Sequence, residues 1–167
     1  MSNASLFYKN VTPLNKQRHA NWSIVGSESF AFAKGIHSAP LTAVEFPSAV
    51  REFSVVFARA KEGLMPIAIM GVRVGENLFV GADGKWQAEY IPAFVRRYPF
   101  VLSELPGGQM GVCVDEAYPG LSDTDGEALI NTNNIEGGLK LSEAMANHGY
   151  CFDSVFVALV RAGDIGV

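Results

Sequence analysis

The chain has 167 residues, of which 49% are hydrophobic and 18% are charged, and its formal net charge is −4. This length allows one domain with a substantial core, and a mildly acidic chain without basic clusters is not expected to bind nucleic acid. The longest apolar runs are too short to cross a bilayer, and the first residues lack the pattern of a signal peptide. We therefore expect a soluble protein without a membrane span, located by default in the cytoplasm.

Residues 1–21 are polar and rich in asparagine, which predicts an extended arm with turns. His19 belongs to this arm. We interpret it as a surface histidine, with a ligand role as the alternative. A short strand is predicted next, over Trp22–Val25, where apolar and aromatic residues resume.

Two longer strands are predicted in the sequence APLTAVEFPSAVREFSVVFA. They cover Leu41–Phe46 and Ser54–Ala60, because both segments are rich in residues that favour strands. Pro47 ends the first strand, since proline has no N–H to donate to a strand ladder. Glu45 and Arg51 flank the turn between the strands, and we interpret them as a local ion pair, which contributes about 0–1 kcal/mol when exposed.

Two hairpins are predicted further along the chain, because each pair of strand-like segments is joined by a short turn. The first joins Pro66–Val74 to Leu78–Val80 through a Gly-Glu-Asn turn. The second joins Phe100–Leu105 to Met110–Asp115 through a Pro-Gly-Gly turn. Short connections of this kind predict antiparallel pairing.

The stretch from Asn77 to Phe100, NLFVGADGKWQAEYIPAFVRRYPF, contains the clearest turn and helix signals. Its Asp-Gly pair at residues 83–84 predicts a tight turn, because glycine accepts a positive φ without steric cost. Pro92 fits the first turn of a helix, and Pro99 restricts the residue before it and ends the helix. A short helix is therefore predicted over Pro92–Arg97.

These elements predict the α+β fold class, with a mostly antiparallel sheet of about six strands and a few short helices. We expect residues 1–126 to form the core. Residues 127–167 are expected to form a helical and apolar C-terminal segment of the same domain. Within it, Leu139–Asn147 is predicted as a helix, and the apolar tail Phe152–Ala162 is a candidate homodimer interface.

The sequence contains no recognisable catalytic or metal-binding pattern. It lacks a nucleophile elbow, a phosphate-binding glycine loop and a zinc-protease motif. The acidic run DTDGE lacks the spacing of a calcium loop. Cys113 and Cys151 each stand alone, so no zinc site is predicted, and whether they pair stays open. We therefore expect a non-catalytic protein without a metal or cofactor.

Aromatic residues are concentrated around the predicted short helix, and two arginines stand at its end. The candidate ligand- or partner-binding residues are Trp86, Tyr90, Arg96, Arg97 and Tyr98. An aromatic groove with arginines at its rim would suit a peptide or a planar anion. Two structural interpretations stay open: the aromatic residues pack in the core, and the arginines provide favourable charge at the carbonyl end of the helix.

The block GENLFVGADGKWQAEYIPAFVRRYPF resembles the signature block of the bacterial SapC family, whose members are named for surface-layer (S-layer) secretion loci. Three other segments, FYKNVTPLNKQRH, PLTAVEFPSAVREFSVVF and MPIAIMGV, are similar to further parts of that family in the same order. The resemblance covers roughly Phe7 to Asp125 and is not recognised after Gly126. A transporter permease shares the family name but is unrelated.

The resemblance implies a non-catalytic accessory or binding protein associated with the export or assembly of S-layer or cell-envelope proteins. It supplies no catalytic residues. A protein or peptide is then the expected partner, and association with the cell surface is compatible with the family. The alternative is an enzyme or small-molecule-binding protein that acts on a peptide or glycan through an aromatic and arginine pocket near Trp86–Tyr98.

Overall fold

The computed structural model describes residues 7–60, 63–105 and 110–129. These residues form two compact units. The first unit contains Phe7 and Glu28–Arg96, and the second contains Tyr8–Ser27 and residues 97–129. The strands within the described residues are β1 (Val11–Pro13), β2 (Ser23–Ile24), β3 (Ser38–Pro40), β4 (Ser54–Ala60), β5 (Gly63–Ile69), β6 (Phe100–Glu104), β7 (Met110–Asp115), β8 (Leu121–Ser122) and β9 (Glu127–Ala128). The helices are the 3₁₀ helices Ala31–Gly35 and Ala43–Glu45, and the α-helices α1 (Phe46–Ala49) and α2 (Ala93–Arg96).

The first unit is built on an antiparallel sheet with the strand order β3-β5-β4. β4 and β5 pair one to one over seven residues, from Ser54↔Ile69 to Ala60↔Gly63. Burying a large apolar side chain stabilises the folded state by about 1.5–3 kcal/mol relative to leaving that side chain exposed. Such buried side chains in the first unit include Ile36, Leu41, Phe53, Met70 and Val95.

The second unit contains two small antiparallel sheets, with the strand orders β1-β7-β6 and β8-β2-β9. Asp115, at the end of β7, has no solvent exposure. Its carboxylate accepts hydrogen bonds from the backbone N–H groups of Lys9 at 2.9 Å and Asn10 at 2.8 Å. Because a buried carboxylate is stable only when it is hydrogen-bonded, these contacts fix the segment that leads into β1.

The predicted turn and helix between residues 83 and 97 are confirmed. Gly84 has a φ of +81°, and the Asp83 side chain accepts a hydrogen bond from the Lys85 N–H at 3.1 Å. α2 begins directly after Pro92, whose carbonyl accepts from the N–H groups of residues 95 and 96. The helix buries its residues 93–95 and is short, as its two flanking prolines predict.

The prediction of mostly antiparallel strands with a few short helices is confirmed, but the prediction of one sheet of about six strands is wrong. The described strands form three sheets of three strands each. The predicted pairing of Pro66–Val74 with Leu78–Val80 is also wrong. β5 ends at Ile69 and pairs with β3 and β4 instead, and residues 78–80 meet the end of this segment through the hydrogen bond from the Leu78 N–H to the Met70 carbonyl at 2.8 Å.

The strand predicted over Leu41–Phe46 is wrong as well. The chain turns there into a 3₁₀ helix that Thr42 and Glu45 cap: the Glu45 carboxylate accepts from the Thr42 N–H at 2.8 Å, and the Glu45 N–H donates to the Thr42 carbonyl at 3.1 Å. Two local hydrogen bonds of this kind outweigh the strand preference of the apolar residues around them.

Several predictions lie outside the described residues: the Pro-Gly-Gly turn at 106–108, the helix at 139–147, the apolar tail at 152–162 and the pairing of Cys151. The division into a core of residues 1–126 and a segment of residues 127–167 stays a prediction. In the part of the chain that the structure describes, no helix is both long enough and apolar enough for a membrane span.

We predict that Gly84→Ala lowers the free energy of unfolding by about 1–2 kcal/mol, because the left-handed backbone conformation costs that much for a residue with a Cβ. The added Cβ would also lie 2.8 Å from Ser29 Oγ. Gly35→Ala is the matched control, since nothing lies within 4 Å of its Cβ position and its φ is not positive. Urea unfolding of both variants makes the comparison, and equal midpoints would contradict the role of the Gly84 conformation.

Candidate functional site

The five residues predicted as a binding site belong to two units. Trp86, Tyr90 and Arg96 lie in the first unit, and Arg97 and Tyr98 lie in the second. The structure brings the first three together around one buried glutamate. The other two take part in a separate buried network within the second unit.

Arg96 lies over the ring of Tyr90. Its guanidinium carbon is 5.5 Å from the ring centroid, within the range of a cation–π contact. Its Nη2 donates a long hydrogen bond of 3.4 Å to the Tyr90 hydroxyl, and its Nε is buried without an acceptor among the described residues. The side chain therefore bonds to Tyr90 rather than to a carbonyl at the end of α2, and among the described residues its remaining donors have no acceptor.

Glu45 holds Tyr90 in place. This glutamate is 5% exposed, and its Oε1 accepts hydrogen bonds from the Tyr90 hydroxyl and the Ala93 N–H, both at 2.8 Å. Its Oε2 accepts from the Thr42 N–H at 2.8 Å and the Thr42 hydroxyl at 3.0 Å. The carboxylate is thus saturated by four neutral donors.

The role of Glu45 as the acceptor that holds Tyr90 differs from the sequence prediction, which pairs Glu45 with Arg51. Among the described residues, the ion pairs within 4.0 Å do not include Glu45. The signal that could have found the role is the Thr-x-x-Glu spacing of a capping box at residues 42–45.

Tyr90 is a hydrogen-bond donor at neutral pH. Burial raises the pKa of its hydroxyl to about 12, with a further increase from the hydrogen bond and charge of Glu45, whereas Arg96 lowers the pKa. The hydroxyl therefore keeps its proton and directs it to Glu45. Tyr90 is therefore not suited to act as a general base near pH 7, where a base must be able to accept a proton.

Trp86 is half-buried beside Tyr90. Its Nε1 donates a hydrogen bond of 2.9 Å to the Tyr90 carbonyl. Its ring stacks on Phe79 at 6.1 Å with an interplanar angle of 22°, and it contacts Phe30 at 5.6 Å. The turn at residues 83–84 and the bridge between Val80 and Trp86 place the indole there. Part of the Trp86 surface stays accessible.

An open cleft adjoins these residues. Glu52 holds the loop between Trp86 and Tyr90, because its carboxylate accepts from the N–H groups of Glu89 and Tyr90, both at 2.9 Å. The cleft has a volume of about 610 Å³. It is lined by Arg51, Glu52, Gln87, Ala88 and Glu89.

Arg97 and Tyr98 are part of the network around Asp115 in the second unit. Tyr98 is 5% exposed, and its hydroxyl donates to Asp115 Oδ2 at 3.3 Å. Burial, followed by Asp115, raises its pKa. Tyr8 donates to the Phe100 carbonyl at 2.7 Å, and burial raises its pKa to about 12 although a hydrogen bond with Arg97 acts in the opposite direction.

His19 is fully buried, so its interpretation as a surface histidine is wrong. Its Nδ1 accepts from the Asn15 N–H at 2.9 Å, which places the ring proton on Nε2, 3.1 Å from Glu116 Oε1. Arg18 donates to both oxygens of Glu116 at 2.8 Å. Burial acts to raise the pKa of Glu116, but the hydrogen bonds from His19 and Arg18 and the charge of Arg18 outweigh it and lower the pKa.

The remaining titratable groups do not form a metal centre in the described part of the chain, where no three His, Cys, Asp or Glu side chains converge. Cys113 is buried, and burial raises the pKa of its thiol. A raised thiol pKa disfavours the nucleophilic thiolate.

A model of the SapC family matches residues 14–144, which is well over half of the chain. The match includes all five candidate site residues and extends past Gly126, where the resemblance read from the sequence motifs ends. No curated protein and no solved structure matches the chain.

We predict that Glu45→Gln lowers the free energy of unfolding by about 2–3 kcal/mol, because an amide group would face donors that are then left unsatisfied. Glu89→Gln is the control, since its exposed side chain makes no hydrogen bond in the described structure and a surface change costs at most about 0.5 kcal/mol. Urea unfolding measures both variants. Equal effects would contradict the assignment of Glu45 as the centre of the site.

We predict that Glu116 stabilises the fold only above acidic pH. Its folded pKa is lowered, so its contribution is complete above the unfolded value of about 4.3 and is lost as pH falls through the folded pKa. The stability difference between wild type and Glu116→Gln should therefore be largest near pH 7 and disappear in strong acid. Asp123→Asn, at an exposed side chain, is the control. A difference independent of pH would contradict the Arg18–Glu116–His19 network.

Proposed function

Because the chain belongs to the SapC family, we propose that it is a non-catalytic binding protein that acts in the export or assembly of S-layer or other cell-envelope proteins. Its partner in this role is a protein or peptide. The family name supports the biological setting, and the side chains around Tyr90 support the mode of binding. The protein is proposed to act from the cytoplasm, where it would meet its partner before export.

The observation that carries the binding role is the unsatisfied guanidinium of Arg96. It makes one long hydrogen bond and one ring contact, and it forms no ion pair within the described residues. An arginine fixed over an aromatic ring with unused Nη donors suits a carboxylate, which can accept two parallel hydrogen bonds. The chemical feature recognised would be an acidic side chain or a free C-terminus of the partner.

Trp86 and Tyr90 supply the apolar part of the proposed contact. Tryptophan, tyrosine and arginine are the residues that contribute most to binding at protein interfaces. All three types occur here around Tyr90, since the Trp86 indole donates to the Tyr90 carbonyl and the Arg96 guanidinium lies over the Tyr90 ring. Arg97 and Tyr98 are proposed only to support the second unit, where their side chains bond.

The alternative function is an enzyme or small-molecule-binding protein that acts on a peptide or glycan. The open cleft beside Tyr90 favours it, because its volume of about 610 Å³ falls within the range of ligand sites. The chemistry of the neighbouring groups favours binding instead. Glu45 accepts four hydrogen bonds and Tyr90 keeps its proton, so neither is prepared for acid–base catalysis.

We predict that Arg96→Ala weakens binding of an acidic peptide about 10-fold or more, since a charge-assisted hydrogen bond contributes about 1.5–3 kcal/mol. The probe is a set of peptides that cover the S-layer protein of the source bacterium, each with a free C-terminus. The Trp22→Phe background leaves Trp86 as the single indole, so its fluorescence reports binding near the site.

Arg73→Ala is the matched control for this titration, because Arg73 is exposed and makes no side-chain hydrogen bond in the described structure. Its affinity should equal that of the parent. Equal losses in the two variants would remove Arg96 from the proposal, and no binding by any peptide would remove the S-layer partner. Cleavage of a bound peptide, followed by mass spectrometry, would establish the enzymatic alternative.

A further inference from the structure

β4 is the edge strand of the sheet in the first unit, because the strand order is β3-β5-β4. It pairs with β5 one to one over its full seven residues, so no bulge interrupts it. The other side of β4 has no strand beside it among the described residues. A straight edge of this length can accept another strand.

The free backbone groups of β4 can be assigned from its neighbours. Pro66 pairs with Phe57, and the Pro66 carbonyl accepts from the Leu41 N–H at 2.9 Å on the β3 side. The Phe57–Pro66 pair is therefore one whose backbone groups point away from each other, as alternate pairs do in an antiparallel ladder. Phe57, and with it Val55 and Arg59, directs its N–H and C=O to the open edge.

These three residues make no other backbone or side-chain hydrogen bond in the described structure. The edge has no proline, lysine or bulge, and Arg59 is its single charged residue. Instead it is apolar and exposed, with Val56 42% and Phe57 60% accessible. Such an edge is complementary to another apolar strand.

We propose that β4 pairs antiparallel with β4 of a second copy of this chain, about a two-fold axis at Phe57. Val55, Phe57 and Arg59 are spaced symmetrically about the centre of the strand. In this register Phe57 of each copy faces the other, and Val55 of each copy faces Arg59 of the other. All three outward-facing residues then form hydrogen-bonded pairs, and every shifted register leaves at least one of them unpaired.

Charge supports the same register. Arg59 is the single charged residue of β4. With Phe57 on the axis, the two copies of Arg59 lie about 14 Å apart along the strands, given a rise of about 3.4 Å per residue. This separation exceeds the screening length of about 8–10 Å in physiological salt. The register that places Arg59 opposite Arg59 brings like charges together and forms one pair of residues instead of three.

The first test is sedimentation equilibrium of the full chain over a wide concentration range. The wild type should form a concentration-dependent dimer. Phe57→Lys places two ammonium groups at the axis and should yield a monomer. Val74→Lys adds the same charge at a side chain that is 89% exposed outside the sheet, and it should dimerise as the wild type does. A monomeric wild type, or a Phe57→Lys variant that still dimerises, would overturn the proposal.

The second test examines the register of the two strands with two substitutions of opposite charge at Val55. Val55→Glu places a carboxylate opposite Arg59 of the second copy and should tighten the dimer several-fold. Val55→Arg places two cations opposite each other and should weaken it several-fold. Equal dissociation constants for the two variants would overturn the register. Both tests are independent of the peptide-binding role proposed for Arg96.

Discussion

The buried carboxylate of Glu45 is the contact on which the site in the first unit depends. It accepts hydrogen bonds from Thr42, Tyr90 and Ala93, which belong to two separate segments of the chain, around residue 42 and at residues 90–93. A buried carboxylate is stable only with such partners, so its burial and the positions of these segments require each other. The position of Arg96 follows, because its guanidinium lies over the Tyr90 ring.

This arrangement keeps the charge of Arg96 available. Tyr90 stands between Glu45 and Arg96, donating to Glu45 at 2.8 Å and accepting from Arg96 at 3.4 Å. The arginine is held close to a carboxylate without forming an ion pair with it. In the second unit, by contrast, Asp115 is saturated by backbone N–H groups and the Tyr98 hydroxyl. The two buried carboxylates are therefore satisfied within the fold, and the cation over Tyr90 is the group that we propose contacts a partner.

The sequence predicts local features well where one residue dictates the backbone. Gly84 and the two prolines that flank α2 define a turn and a helix by sterics alone, and both are confirmed. The division of the strands into three sheets depends on long-range pairing, which local patterns do not encode. The burial of His19 depends on Glu116, which is distant in the sequence. The role of Glu45 was readable as a capping box, but its partner Tyr90 lies 45 residues away.

NMR of the Arg96 guanidinium tests most directly whether this side chain contacts an acidic partner. The Nε–H signals of the arginines are assigned by substitution, and the protein is titrated with an acidic peptide that binds it. We expect the Arg96 signal to shift with the same dissociation constant as the Trp86 fluorescence, whereas the Arg73 signal stays unchanged. A peptide that binds while the Arg96 signal does not move would contradict this expectation.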